Sequence, residues 1–580
     1  MLEKNIENKT SISKNKYLIP TVLMIIYIFI AMIIVVVVKF SMATEGTAVS
    51  ITANSGEEAF FNGKYEAAVS EYSIYQQKEE WPVWNLKISE IYSIQGDYKK
   101  SNEYIQKVYD ARNKIIDTEN VNYEEFESKD RELVNGIVFN SFMNGEYKKA
   151  LEYGEFFLRS YPDDVNLLKT MFSVYIANDD KKSAENIINY FNDGEDSDEL
   201  VTAAKMSIFL GKYEDGIKML EESFELDENN INIFDALEDA ARYNKSNIVD
   251  SINKLSSKDK NNKTYKLFLA KVYSIDYADI EKAEKIIDEL ADDFEENTNY
   301  LFIKMRVYVE KNEDKKAEKI LDDISELNKD TYISEYADSL RFYYEGKYDD
   351  ALKSAKKCIS LNNEYTNTYS SLIPSILLGQ KKAELEESYL RTALYKEPFN
   401  FADIITTAEY YMDVRQDSSK GLYYYNLASK VNPNNSEVYY KMALIQYNNQ
   451  RMDEAAVLLK KSISLNKTCA KYYRALGNMY LEQNKDEEGM TQIRKAYDID
   501  KEDIATLNSA AYYYIYADHN INRAMTNIKA AYEGINDTTS TSVRDIITDN
   551  YNRIKVLYDS SKDSASSNKN GVVSEVKLIY

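Results

Sequence analysis

Histidine and cysteine are nearly absent from this 580-residue chain: His519, Cys358 and Cys469 are the whole complement. One imidazole and two thiols are too few for a zinc site or a disulfide framework, and they remove most nucleophilic and general-base chemistry. No Gly-rich phosphate loop, HExxH, GxSxG or paired CxxC occurs either, so no catalytic, cofactor or metal site is expected. Turn formers are also scarce, with 6 Pro and 17 Gly, which argues against a sheet-rich fold. Positive charge is short as well: 72 Lys and Arg against 96 Asp and Glu leave a net charge of −24. Such a surface repels phosphate backbones and excludes a nucleic-acid partner.

What remains is 44% apolar and 29% charged, a mixture suited to amphipathic helices packed side by side. The length exceeds what one hydrophobic core can serve, so an all-α chain of several domains or a repeat array is expected. The acidic excess is uneven. Within the first 39 residues five Lys outnumber Glu3 and Glu7.

That basic stretch surrounds Leu18–Val38, LIPTVLMIIYIFIAMIIVVVV, which carries no charge. As a helix it would span roughly 31 Å at 1.5 Å per residue, the thickness of a bilayer core. Its 15 Leu, Ile, Phe and Val favour insertion, by about 5 to 9 kcal/mol. Lys4, Lys9, Lys14 and Lys16 precede it, and Lys39 alone stands between it and Lys64. A single-pass anchor in the cytoplasmic membrane is therefore expected, with the segment 1–17 inside and the rest outside. Ser41-Met42-Ala43 would also suit a cleaved signal peptide, although the apolar run is longer than an ordinary signal core.

The remainder repeats. Residues 436–469, SEVYYKMALIQYNNQRMDEAAVLLKKSISLNKTC, align without a gap to 470–503, AKYYRALGNMYLEQNKDEEGMTQIRKAYDIDKED. The same frame places starts near 49, 82, 131, 165, 197, 231, 263, 298, 332, 366, 401, 436, 470 and 504. A turn signature recurs with it: Gly63-Lys64-Tyr65, Gly96-Asp97-Tyr98, Gly145-Glu146-Tyr147, Gly211-Lys212-Tyr213 and Gly346-Lys347-Tyr348. The spacing suits a hairpin of two helices of about 14 residues, which buries its apolar faces only by stacking on its neighbours. The frame loosens at 231–262, where Glu238 and Asp250 stand at small-residue positions, so a hinge or a subdomain break is expected there. The long interval before 131 predicts longer helices. The reading divides the chain into an array over 49–262, a second over 263–537, a capping helix at 538–559 and a disordered tail at 560–580. The apolar end of that tail, VVSEVKLIY, could add as a strand to a partner sheet.

These repeats resemble tetratricopeptide repeats. In the second block the motif falls on Tyr473, Leu476, Gly477, Tyr480, Gly489, Ile493 and Ala496, with Lys501 where proline is usual. In the first it falls on Tyr439, Met442, Ala443, Gln446, Ala455, Leu459 and Ser462. The resemblance implies a right-handed superhelical solenoid whose concave groove is lined by the first helix of each hairpin. In that frame Tyr336, Tyr343, Tyr344, Tyr440, Tyr447, Tyr512 and Tyr516 face the groove, with Phe139 and Phe142 nearer the N-terminus. Arg474 and Asn478 resemble part of the carboxylate clamp of chaperone-binding repeats, but Ala505 and Ser509 replace its basic groups. Aromatic rings in a groove bury large rigid surfaces for peptide recognition, and they equally serve packing between helices.

The function expected is a membrane-anchored protein-binding scaffold or adaptor of a bacterial cell envelope, with a protein or peptide ligand. The rivals are a regulator facing the cytoplasm and an enzyme with an unrecognised catalytic segment.

Overall fold

A computed structural model describes residues 54–116, 123–192, 195–562 and 576–580. Among these the secondary structure is entirely helical. None of the described helices is long and apolar enough to cross a membrane, and the expected span Leu18–Val38 lies outside the described residues.

The helices keep the register of the repeat. First helices Val165–Ala177, Ser197–Phe209, Thr298–Glu310, Tyr332–Tyr344, Phe401–Asp413, Ser436–Asn448, Ala470–Glu482 and Ile504–Tyr516 begin at the expected starts. Local chemistry sets many of these points. Asp164, Asp196, Asn297, Asn400, Asn435 and Asp503 each cap the next helix with a side-chain oxygen that accepts a backbone N–H from its first turn. The turn inside most of the described hairpins takes a left-handed residue. Gly96 and Gly211, both at φ 81°, take it without steric cost, while Gln450 and Asn484 take it at 61° and 57°. The two helices then close on small residues. A Cβ on Gly477 would sit 2.9 Å from the Gly489 carbonyl oxygen and 2.8 Å from Ile493 Cδ1.

Departures from the repeat have identifiable causes. The extra residues before 131 do lengthen two helices, Tyr98–Ile116 and Tyr123–Met143. Their pairing is fastened by Arg112, whose Nε and Nη2 each reach Asp130 at 2.6 Å in the interior. In the 231–262 motif both helices run together as Asn232–Lys258, bent at Asn244. Ile248 and Ile252 beyond the bend remain fully buried. Pro374 cannot donate a backbone hydrogen bond, and the chain before it forms a short π-helix, Thr368–Leu372. At the end of the array Thr541–Lys562 closes on Ile521–Glu533, with Tyr532 and Tyr551 stacked at 4.5 Å.

The largest departure is that the array folds back on itself. One cluster of buried side chains runs through 81–206 and then through 390–445. The stretch from Tyr365 to Tyr423 fills the inner face of the N-terminal hairpins. Tyr65 donates to Glu387 at 2.9 Å, Phe399 packs on Phe172 at 5.7 Å, and Tyr423 stacks on Tyr98 at 4.9 Å. Lys205 pairs with Glu397 at 2.9 Å. Arg391, 2% exposed, is the central tie. Its Nη2 donates to Asn140 Oδ1 at 2.8 Å and Ser93 Oγ at 3.1 Å, and its guanidinium lies 4.7 Å over the Phe139 ring. Phe139 and Phe142, expected on an open groove, are fully buried here. The chain is its own occupant at this end, because the apolar inner faces of these first helices are covered by a later part of the same array.

Candidate functional site

The other residues expected on the groove gather in two places. The first is a groove formed by Ser436–Asn448, Ala470–Glu482, Ile504–Tyr516 and Thr541–Lys562, and the last five residues of the chain lie in it. Residues 576–580 were expected within a disordered tail. They are instead held in place by the groove, without helix or strand, while 563–575 lie outside the described residues.

The groove reads the backbone of this segment. The Val576 N–H donates to the Tyr516 hydroxyl at 2.8 Å. The Lys577 N–H donates to Asn550 Oδ1 at 3.0 Å, and its carbonyl accepts from Asn550 Nδ2 at 2.8 Å and Asn508 Nδ2 at 2.9 Å. The Ile579 carbonyl accepts from Asn478 Nδ2 at 2.9 Å. Each of these three asparagines is fully buried, where an amide without a partner would be costly. The side chains are read more loosely. Val576 and Ile579 are buried, Lys577 is exposed, and the Tyr580 ring lies 4.3 Å from Tyr447, whose hydroxyl donates to Glu482 at 2.9 Å.

Of the residues singled out by sequence, Tyr447, Asn478 and Tyr516 touch the segment. Tyr512 supports Tyr516 at 4.5 Å between rings. Tyr440 is buried and packs on Tyr472 at 5.2 Å, a structural role. Arg474 pairs with Asp503, so its charge is already committed within the array. Asn508 and Asn550 were missed. Asparagine is abundant in this chain, and nothing local distinguishes an amide that holds a backbone from one that caps a helix.

The second place is a central cavity of about 620 Å³, within the usual range of ligand sites, about 300 to 1,000 Å³. Tyr336, Tyr343 and Tyr344 line it, joined by Phe302 and Tyr365. Tyr336 and Tyr365 meet edge to face at 5.2 Å, and Tyr344 is exposed at the rim. Five carboxylates share the wall with three cations: Asp235, Glu238, Asp239, Glu386 and Asp403 against Arg242, Lys271 and Arg306. All three cations converge on Glu238, at 2.8, 2.7 and 3.6 Å. Burial works against that carboxylate's charge, yet the three neighbours hold it well below the usual range. The others are pushed the opposite way, chiefly by burial: Asp235 and Asp239 to about 6, Glu386 to about 7, and Asp403 well above its ordinary value. Among the described residues no three groups of metal-ligating type are gathered closely enough to hold a metal ion.

His519 is exposed in the turn of the last hairpin, its Nδ1 3.3 Å from the Ile515 carbonyl. The Cys358 thiol is pushed up to about 12 by burial and is unsuited to nucleophilic work.

No family model matches the sequence, nor does any curated protein. Among solved structures the chain is similar to yeast Tom70, with 17% identity over 82% of this chain and 96% of that one and a TM-score of 0.36. It is also similar to the anaphase-promoting-complex assembly Cut9–Hcn1, at 12% identity over 78% and 94% with a TM-score of 0.31. A third is YrrB, a TPR protein with an unusual peptide-binding site, at 16% identity over 32% and 93% with a TM-score of 0.26.

Proposed function

We propose that this chain is a membrane-anchored scaffold that captures an extended peptide of a partner protein in the groove formed by residues 436–562. One observation carries the binding role: the groove already holds a peptide segment, the chain's own Val576–Tyr580, through asparagine amides that bond its backbone. Backbone recognition tolerates varied side chains. The buried Val576 and Ile579 and the ring contact of Tyr580 then favour ligands with aliphatic residues ahead of an aromatic one. The role is one of binding rather than catalysis.

In this reading the tail is a competitor in cis. A tethered segment acts at an effective concentration on the order of mM. An incoming peptide of equal intrinsic affinity therefore displaces it only near that concentration, or when something else draws the tail away. The anchor rests on the uncharged run Leu18–Val38 and on the lysines before it. We place the N-terminus inside and the array on the outer face of the cytoplasmic membrane, as a partner-binding component of the cell envelope.

The test uses the full chain and a variant ending at Glu575, each titrated into a fluorescent VVSEVKLIY peptide. The shortened chain should bind at least tenfold more tightly, and Asn508→Ala in it should weaken binding again. Equal binding by the full and shortened chains would remove the groove from consideration. Protease added to spheroplasts should digest the array, and full protection until lysis would refute the orientation.

A further inference from the structure

We infer that the segment 576–580 is a fastener as well as an occupant: it holds the last helix, Thr541–Lys562, against the array, and that helix loosens when the groove is emptied. The inference rests on the peptide-binding reading above and adds to it a conformational readout of occupancy.

The last helix has little else to hold it. Of its 22 residues only Ile547, Asn550 and Ile554 are buried, and their spacing puts them on one face. The helix packs chiefly on Ile521–Glu533 and touches Ile504–Tyr516 only lightly. Its buried face is completed by the tail. Asn550 Oδ1 accepts the Lys577 N–H at 3.0 Å, and its Nδ2 donates both to the Lys577 carbonyl at 2.8 Å and to Asn508 Oδ1 at 2.7 Å. Ile547 and Ile554 belong to the same buried cluster as Val576 and Ile579, together with Ala505, Leu507 and Ala511 of the facing helix. The tail is therefore a wedge between two helices that have few contacts of their own.

Withdrawing the wedge uncovers that face. Ile547 and Ile554 lose apolar cover contributed by Val576 and Ile579, and Asn550 Oδ1 loses its donor. The start of the helix stays tied, because Arg544 Nη2 donates to the Asn536 carbonyl at 2.9 Å and Tyr551 stacks on Tyr532. Past Tyr551 only Ile554 is buried, and helical stretches of roughly 12–15 residues are marginal in water by themselves. The helix is loosened rather than lost. A partner's peptide that replaces the tail has to supply the same wedge, so it restores the wall that carries Asn550 as it binds and spends part of its binding energy on that ordering. The last helix then distinguishes a filled groove from an empty one, whichever peptide fills it.

The experiment is hydrogen exchange, read by mass spectrometry, on the full chain, on the chain ending at Glu575, and on that shortened chain with excess VVSEVKLIY peptide. Binding of the peptide is followed separately by fluorescence polarisation. In the shortened chain the amides of 547–558 should exchange at least tenfold faster while those of Val165–Ala177 keep their rate, and bound peptide should return 547–558 to the rate of the full chain. The full chain carrying Val576→Ser and Ile579→Ser together keeps the tail's length and should loosen the same amides. The inference is overturned if 547–558 keeps its rate in both altered chains, if the acceleration spreads to Val165–Ala177, or if the peptide binds without restoring protection. A peptide that fails to bind refutes the peptide-capture reading alone, and the comparison of the full chain with the two altered chains still decides whether the tail fastens the helix.

Discussion

Replacing Arg391 with methionine tests whether the two ends of the array are one body. The substitution keeps an apolar stem over Phe139 but removes the donors to Asn140 and Ser93 and the charge 3.7 Å from Glu90. Hydrogen bonds from a charged group contribute about 1.5–3 kcal/mol each, and breaking a buried ion pair costs about 3–5 kcal/mol. Glu90 keeps Lys87 at 3.8 Å as a substitute partner, which softens the loss. Removing the guanidinium also relieves the desolvation of a buried charge, which offsets part of these losses and leaves a cost of about 2–4 kcal/mol. Hydrogen exchange read by mass spectrometry is the assay, because it locates the loss as well as measuring it. At tenfold per 1.4 kcal/mol, amides in Glu386–Lys396, Val83–Gln95 and Tyr123–Met143 should exchange roughly 30- to 1,000-fold faster, and they should do so together. If faster exchange stays within Glu386–Lys396 and the helices next to it in sequence, the fold-back does not contribute to stability and the argument fails.

Gly477→Leu and Ala455→Leu force side chains into closed helix contacts, so each should lower the urea midpoint by an amount equivalent to about 1–3 kcal/mol. Asn550→Ala removes two hydrogen bonds to Lys577 and should let carboxypeptidase take Tyr580 at least tenfold faster; an unchanged rate would mean that the tail is not held there. Burial raises the carboxyls of Asp235, Asp239 and Glu386, so the folded chain holds these protons more tightly than the unfolded one. Their contribution to stability is complete below the ordinary carboxylate range and is lost as pH rises through about 6 to 7. Urea midpoints should therefore fall between pH 5 and pH 8, and Asp239→Asn should flatten that fall.

Repeat register was legible because its determinants are local. A capping Asn or Asp, a left-handed turn residue and small residues at fixed spacing act within one hairpin, and Gly477 and Gly489 stand where the alignment of 436–469 with 470–503 puts them. The fold-back was not legible. Its contacts join Tyr65 to Glu387 and Tyr98 to Tyr423 across more than 300 residues, through side chains as ordinary as those that pack adjacent helices. Tyrosines expected on one groove divide among different environments, which spacing alone does not sort. Tyr447 and Tyr516 touch the tail, Tyr440 packs, and Tyr336 turns toward a cavity whose other wall comes from Asp403, far along the chain. The tail's apolar end is visible in the sequence, but a short segment after a polar linker reads as a disordered end or as a strand for a partner's sheet, and gives no sign that it binds in cis.

Helical-repeat chains ordinarily evolve by gaining and losing whole units, since each unit touches only the next. Here that freedom stops between the bend at Asn244 and Arg391. An added or deleted hairpin in this interval would carry Arg391 past Asn140 and Ser93, and Glu397 past Lys205, breaking every tie at once. The number of units in this stretch is locked, like the links of a clasped bracelet, while the units after Val431 remain free to vary in number, provided the last three still present their asparagines in step with the tail.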